Sequence, residues 1–350
     1  MSAPEPAAVQ PWVVVGIDNG GTSNNATVLT SAGQFMVDHL VEVPSRVTEG
    51  TELAVEAMVE ALGTVLEVTG TPRSAVRAVG LDTPGPASAD GIISSLGATN
   101  FAAPEWWGFD VRGALEDRLG LPVVYNNDGN AAALYAHHEH FGTDALRRGS
   151  ISAIVGTGLG GGVVERGQVI RGAAGMAGEL GHVAIPMDGL LEPGQPVPRC
   201  NCGNVGDAES VASLTGILNN LLPYWLSRFP DHELASMPSS QAAKAVRGLA
   251  AAGDPLALRV FEQQAQALGR LFTLAAQFTD PNAYFVGGGV LETESGFRSW
   301  FLEKVVEETH LRAEQRKVAT VELIPHLDMA GARGAAVAAL AVAARQPADS

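Results

Sequence analysis

Sulfur is scarce in this sequence. Its 350 residues hold two cysteines, Cys200 and Cys202, one residue apart. A disulfide across that spacing is strained, which excludes a disulfide-stapled scaffold and makes a reducing cytoplasm the expected compartment. Positive charge is also scarce: 22 Lys and Arg stand against 38 Asp and Glu, a formal net charge of −16. Such a surface repels phosphate backbones, so no nucleic acid partner is expected. No run approaches the ~20 apolar residues of a membrane span, so no membrane association is expected. Met1–Pro11 lacks the basic and apolar regions of a signal peptide and reads as a short tail. A G-x-x-x-x-G-K-[ST] segment is missing, as is a G-x-G-x-x-G opening an early helix; this weighs against P-loop and Rossmann folds.

What is present is an ordered α/β pattern. Apolar residues make up 46% and charged residues 17%, a globular composition, and the length implies two domains. Trp12–Asp18, Asn25–Thr30, Gly33–Val43, Val76–Leu81, Leu121–Asn126, Ile151–Val155, Val163–Ile170 and Tyr284–Val286 read as strands. Val55, Val59, Leu62 and Leu66 recur at helical spacing, as do Leu258, Phe261, Ala265, Leu268, Phe272 and Ala275. Val111–Leu119 and the alanine-rich Gly331–Arg345 also read as helices, and Ser210 to about Arg270 as mainly helical. His137, His138 and His140 lack an i, i+4 pair and are expected on a solvated helix face.

A strand, glycine turn and strand occur twice, at Val13–Leu29 around Asp18-Asn19-Gly20-Gly21-Thr22 and at Ile151–Gly167 around Gly156–Gly162. Such a repeat predicts two related α/β domains facing each other across a cleft. The expected division is a small domain over 12–124, a large one over 125–330, and a C-terminal helix, 331–345, packing back on the first. Glycine lets backbone N–H groups approach a ligand closely, so two such turns can grip a polyphosphate. Taken singly, each turn reads equally as a tight hairpin. Asp18, at a strand's end, is placed to reach a metal ion through water or to cap the turn. Asp128, just past another strand, is placed to take a proton from an attacking hydroxyl. On its residues alone, Asn127-Asp128-Gly129 also reads as a loop with a helix cap.

Over about Val13–Ala343 the chain resembles the ROK family of sugar kinases and repressors, within the actin/hexokinase-like (ribonuclease H-like) superfold. Val15–Thr22 (VGIDNGGT) is similar to the first phosphate motif and Thr83–Pro86 (TPGP) to the loop after the following β-element. Asn127–Ala133 (NDGNAAA) is similar to the catalytic segment, Gly156–Gly162 to the second phosphate motif, and Phe285–Val290 (FVGGGV) to the adenosine motif. The most specific piece is Gly178–Glu209, GELGH followed by CNCGNVGDAE. The resemblance implies a two-domain α/β fold with a cleft between domains. It also implies ATP-dependent phosphorylation of the exocyclic hydroxymethyl group of a hexose, glucose by default, and a homo-oligomer, dimer or tetramer. Asp128 would be the general base. Asn100, Asn127, Glu179, His182 and Glu209 would hold sugar hydroxyls. Asp18, Gly20, Gly21, Thr22, Gly156, Thr157, Gly158, Gly160, Gly287, Gly288 and Gly289 would hold ATP, with Mg2+. His182, Cys200 and Cys202 match three of the four ligands of a structural zinc.

The chain departs from the family pattern twice. Asp207 stands where a third zinc cysteine is usual; carboxylates bind zinc at about 2.0–2.2 Å, so His182, Cys200, Cys202 and Asp207 still offer a tetrahedral set. Near the sugar, Asn100–Phe109 (NFAAPEWWGF) is longer and more aromatic than usual, and Trp106 and Trp107 read either as sugar-packing rings or as core. A C7-cyclitol, an amino sugar or an N-acetylhexosamine is therefore the alternative acceptor. A sugar sensor without DNA binding is the rival of a different class, since little sequence precedes the first strand and the charge is acidic.

Overall fold

The computed structural model describes residues 12–84, 90–94, 101–289, 292–324 and 327–345. The β-branched run Val13–Asn19 (β1) is buried on both faces, as a central strand requires. It pairs antiparallel with Ser23–Thr30 (β2) and parallel with Val76–Thr83 (β4). Val41–Pro44 (β3) and Val123–Asn127 (β5) complete a sheet of order β3-β2-β1-β4-β5. Gly149–Val155 (β6), Leu159–Glu165 (β7), Gln168–Val169 (β8), Ala283–Gly288 (β9) and Thr320–Leu323 (β10) form the second, in order β10-β9-β6-β7-β8. Read from the other edge, that is the first sheet's topology again: an antiparallel hairpin continued by an antiparallel edge strand, with two parallel strands on the far side. The repeat in the sequence is thus a repeat of strand order.

The chain divides into two compact units, residues 1–131 with 328–350, and residues 132–327. In the first, Thr51–Thr69 (α1) buries Val55, Met58, Leu62 and Val65, and Val111–Leu119 (α2) buries Val111, Leu115 and Leu119. The alanine-rich Ala330–Ala343 (α9) lies on β1 and β4, so close that a Cβ at Gly16 would overlap the Ala332 carbonyl and one at Gly80 the Ala335 carbonyl. Asp128–Phe141 (α3) leads into the second unit. There Leu214–Gly216 (α4) passes through a π-turn, Ile217–Leu221, into Leu222–Arg228 (α5). Ser239–Ala251 (α6), Pro255–Thr279 (α7) and Ser295–Glu308 (α8) follow. The expected apolar face of α7 is buried except at Leu258. Among the described residues, no helix is long and apolar enough to cross a membrane.

Three local expectations change, and the alternatives left open for Trp106 and Trp107 separate. Gly33–Val43 is strand only at its end: Gly33 turns at φ 79° and Phe35 makes a lone bridge to Leu29 before β3 begins. Val163–Ile170 is cut at Arg166-Gly167, both at positive φ, which separates β7 from β8. His137 is not on a solvated face; it is buried between Ser150 Oγ and the Ala145 carbonyl, each at 2.8 Å, and desolvation lowers its pKa. Trp106 is core, edge-on to Phe101 and Phe109 with Nε1 donating to the Val47 carbonyl at 3.1 Å, whereas Trp107 is 49% exposed.

Candidate active site

In the first unit the chemistry gathers at strand ends. Asp18 on β1 stands in register with Asp82 on β4, and Asp82 with Asn126 on β5. Parallel strands in register put these side chains on one face. Asp82 is fully buried, and among the described residues neither of its carboxylate oxygens has a hydrogen-bond partner. Desolvation first, then the charges of Asp18 and Asp128, hold its pKa well above the usual range. Asp18 is pushed up to about 6, by burial and by the Asp128 charge, against a hydrogen bond from Asn25. Gly331, in the first turn of α9, lies over Asp18: a Cβ there would stand 2.6 Å from Oδ2.

Asn127 and Asp128 follow from the same strand end. Asn127 Oδ1 accepts the Asn130 N–H at 2.8 Å, so Asn127 does cap α3. Asp128 Oδ1 accepts the Gly129 N–H at 2.8 Å while its side chain stays open to solvent. Desolvation by the surrounding protein raises its pKa, and backbone hydrogen bonds oppose the rise. In the turn after β1, Gly20 N–H donates to the Ser23 carbonyl at 2.9 Å. Among the described residues the N–H groups of Gly21 and Thr22 make no hydrogen bond.

In the second unit the β6–β7 turn is closed by Gly156 N–H donating to the Gly158 carbonyl at 2.9 Å. It is anchored from α4: Leu214 N–H reaches the Gly156 carbonyl at 3.0 Å, and Thr215 Oγ1 reaches the Thr157 carbonyl at 2.7 Å. Thr157 and Gly158 likewise present N–H groups with no hydrogen bond among the described residues. Gly160 has open space around it. At the end of β9, Gly287 packs between Ile154 and Ile324, and Gly288 sits at φ 100° where a Cβ would overlap the Val155 carbonyl. The Gly289 carbonyl accepts a hydrogen bond from Arg247 on α6.

The GELGH and CNCGNVGDAE segments also come together. His182 Nδ1 lies 3.4 Å from Asp207 Oδ2, 3.9 Å from Cys200 Sγ and 3.6 Å from Cys202 Sγ, and Cys202 Sγ lies 3.7 Å from Asp207 Oδ2. Ligands at about 2.0–2.3 Å around a tetrahedral zinc stand roughly 3.3–3.8 Å apart; these four pairs lie at or close to that spacing, and all four ligand atoms fall within 4.8 Å of one another, a set able to gather round such an ion. Asp207 Oδ1 is held by the Ser210 N–H at 2.9 Å, which aims Oδ2 at the cluster. Both cysteines are free thiols. Glu209 touches the cluster too, Oε1 lying 3.2 Å from Cys200 Sγ. Half-buried Glu179 precedes the 3-10 turn Leu180–His182. Asn100 lies outside the described residues, as do Gly85, Pro86 and Val290 of the quoted motifs.

Three participants escape the sequence reading. Asp82 ends an apolar strand run and carries no motif of its own. Arg247 sits on an ordinary amphipathic helix. The Leu159 N–H, which donates to Glu209 Oε2 at 2.9 Å, joins residues 50 apart.

The ROK family profile matches residues 14–342. A glucokinase of Halalkalibacterium halodurans is 34% identical over 79% of this chain and 80% of its own. An N-acetyl-D-glucosamine kinase of Escherichia fergusonii is 30% identical over 92% and 97%. Among solved structures, a ROK hexokinase from Thermus thermophilus superposes with a TM-score of 0.73 at 31% identity, covering 95% of this chain and all of that one. A ROK glucokinase from Streptomyces griseus, in complex with glucose and AMPPNP, gives 0.63 at 28%, covering 93% and 99%. The chain belongs to the ROK family and is one of its carbohydrate kinases.

Proposed function

We propose that this kinase transfers the γ-phosphoryl group of ATP to the exocyclic hydroxymethyl group of a hexose, with glucose the first candidate. The observation that carries the reading is the open Asp128 carboxylate just past the C-terminal end of β5, steadied by the Gly129 N–H. Asp128 takes the proton of the attacking hydroxyl as the phosphoryl group moves, and its raised pKa makes it a better base than an ordinary aspartate. Phosphoryl transfer passes through a loose transition state, so orientation and charge neutralisation supply most of the rate. Asn127, Glu179, His182 and Glu209, with Asn100, hold acceptor hydroxyls. The free N–H groups of Gly21, Thr22, Thr157 and Gly158 bind phosphate oxygens, and Gly287–Gly289 leave room for the nucleoside. Asp18 is placed to hold Mg2+, which when bound neutralises charge on the phosphates.

His182, Cys200, Cys202 and Asp207 hold a structural zinc in this reading, which ties the 200–207 loop to His182 and so orients Glu209. The bound glucose and AMPPNP of the Streptomyces griseus relative support the glucose and ATP assignments. The E. fergusonii relative favours an N-acetylhexosamine as the second acceptor class. An ATP-consumption screen over hexoses, N-acetylhexosamines, amino sugars and cyclitols tests the assignment. Turnover with one ring class bearing a CH2OH is expected; no turnover with any of them would refute it.

A further inference from the structure

The β6–β7 turn and Glu209 meet at two points. Leu159 N–H donates to Glu209 Oε2 at 2.9 Å. A Cβ at Gly158 would stand 2.6 Å from that same oxygen and 3.3 Å from Cδ, closer than side chains pack. Gly158 is not among the glycines at positive φ, so alanine there meets no backbone strain and its cost falls on the carboxylate. Neither partner has an easy retreat. The turn is anchored through Leu214 and Thr215, and the Glu209 backbone is fixed by its N–H donating to the Gly181 carbonyl at 2.8 Å.

We propose that the β6–β7 turn is a positioning element for Glu209: the Leu159 N–H sets the carboxylate's orientation, and the absent side chain at 158 leaves the space the carboxylate occupies. A turn that the sequence assigns to phosphate thereby also governs the grip on the acceptor, and Gly158 and Leu159 are positioning residues for that grip. The inference rests on the reading of Glu209 as an acceptor-holding residue given above.

The test is a double-mutant cycle of Gly158→Ala and Glu209→Ala on the full chain. Calorimetry measures the Kd of glucose, or of the ring that the acceptor screen selects, and of AMPPNP. Loss of a charged hydrogen bond's geometry corresponds to roughly ten- to a hundredfold in affinity. Gly158→Ala should weaken acceptor binding by that factor, weaken AMPPNP binding less than it weakens acceptor binding, and add nothing to the acceptor's Kd once Glu209 is alanine. Hydrogen–deuterium exchange of residues 156–162, which needs no ligand, should rise alike in both single variants. The proposal is overturned if Gly158→Ala weakens AMPPNP and not the acceptor, if its effect on the acceptor persists in the Glu209→Ala background, or if exchange is unchanged. Should Glu209→Ala leave acceptor affinity intact, the proposal falls with that residue's role, while the kinase reading stands or falls separately on Asp128.

Discussion

The two sheets share one strand topology and differ at the ends of their central strands. In the first, the residues in register there are Asp18 and Asp82, with Asn127 closing β5 and Asp128 opening α3. In the second, the corresponding pair is Val155 and Gly288, with glycines on either side of Gly288. Both copies keep a glycine turn with two N–H groups that make no hydrogen bond among the described residues, the part suited to phosphate oxygens. Only the first copy adds carboxylates, which the transfer of a proton and the holding of a metal ion require. Only the second reduces its strand end to backbone, which suits a bulky ligand lying close. Duplication thus supplies a common frame, and the division of labour comes from a handful of side chains at equivalent places.

The largest effect should come from removing the Asp128 carboxylate, the proposed general base, from the first unit. Asp128→Asn should lower kcat by about 10²–10⁴ while leaving the Kd of ATP within about twofold. Near-normal turnover in that variant would place the base elsewhere and erase the contrast between the units.

The cluster of His182, Cys200, Cys202 and Asp207, proposed as a zinc site, offers the next break, because it belongs wholly to the second unit. Purified protein should carry about one zinc per chain by elemental analysis, and Asp207→Ala should lose it to a chelator at least tenfold more readily. Asp207→Cys, a softer set, should hold it more tightly. Equal retention in all three would mean that Asp207 is not a ligand.

A smaller effect concerns pH. Asp18 has a pKa of about 6 in the folded chain against an ordinary 3.8, so the folded state keeps a proton that the unfolded chain releases. That stabilisation is complete below about pH 3.8 and is lost as pH rises through about 6. Since solvent still touches Asp18, the loss is on the order of 1–2 kcal/mol. Thermal melts of ligand-free protein from pH 4 to 7 should show a shallower fall in Asp18→Asn than in the parent chain. Parallel profiles would contradict the assignment.

Much of this contrast is legible in the sequence, for reasons that differ by residue. Apolar runs with β-branched residues that lead into glycines announce β1 and β6, and their spacing announces the repeat, because strand periodicity and turn chemistry are local. The zinc-type cluster is legible because CNCGNVGDAE brings three of its ligands within eight residues. Asp82 is not: a single acid at the end of an apolar run becomes significant only when β1 and β5 set Asp18 and Asn126 beside it. His137 looks like one of three solvated histidines until Ser150 and Ala145 close over it. Trp106 and Trp107 are chemically identical neighbours, and only the packing of Phe101 and Phe109 decides which one is core. The tie between Leu159 and Glu209 spans 50 residues and involves a backbone N–H, a donor that every residue but proline has.

The central claim, phosphoryl transfer from ATP to an exocyclic hydroxymethyl group, is tested most directly by phosphorus–proton correlation spectra of the product formed with the acceptor the screen selects. The account predicts a phosphate coupled to the methylene protons of the former CH2OH. A phosphate on a ring or anomeric oxygen would contradict it.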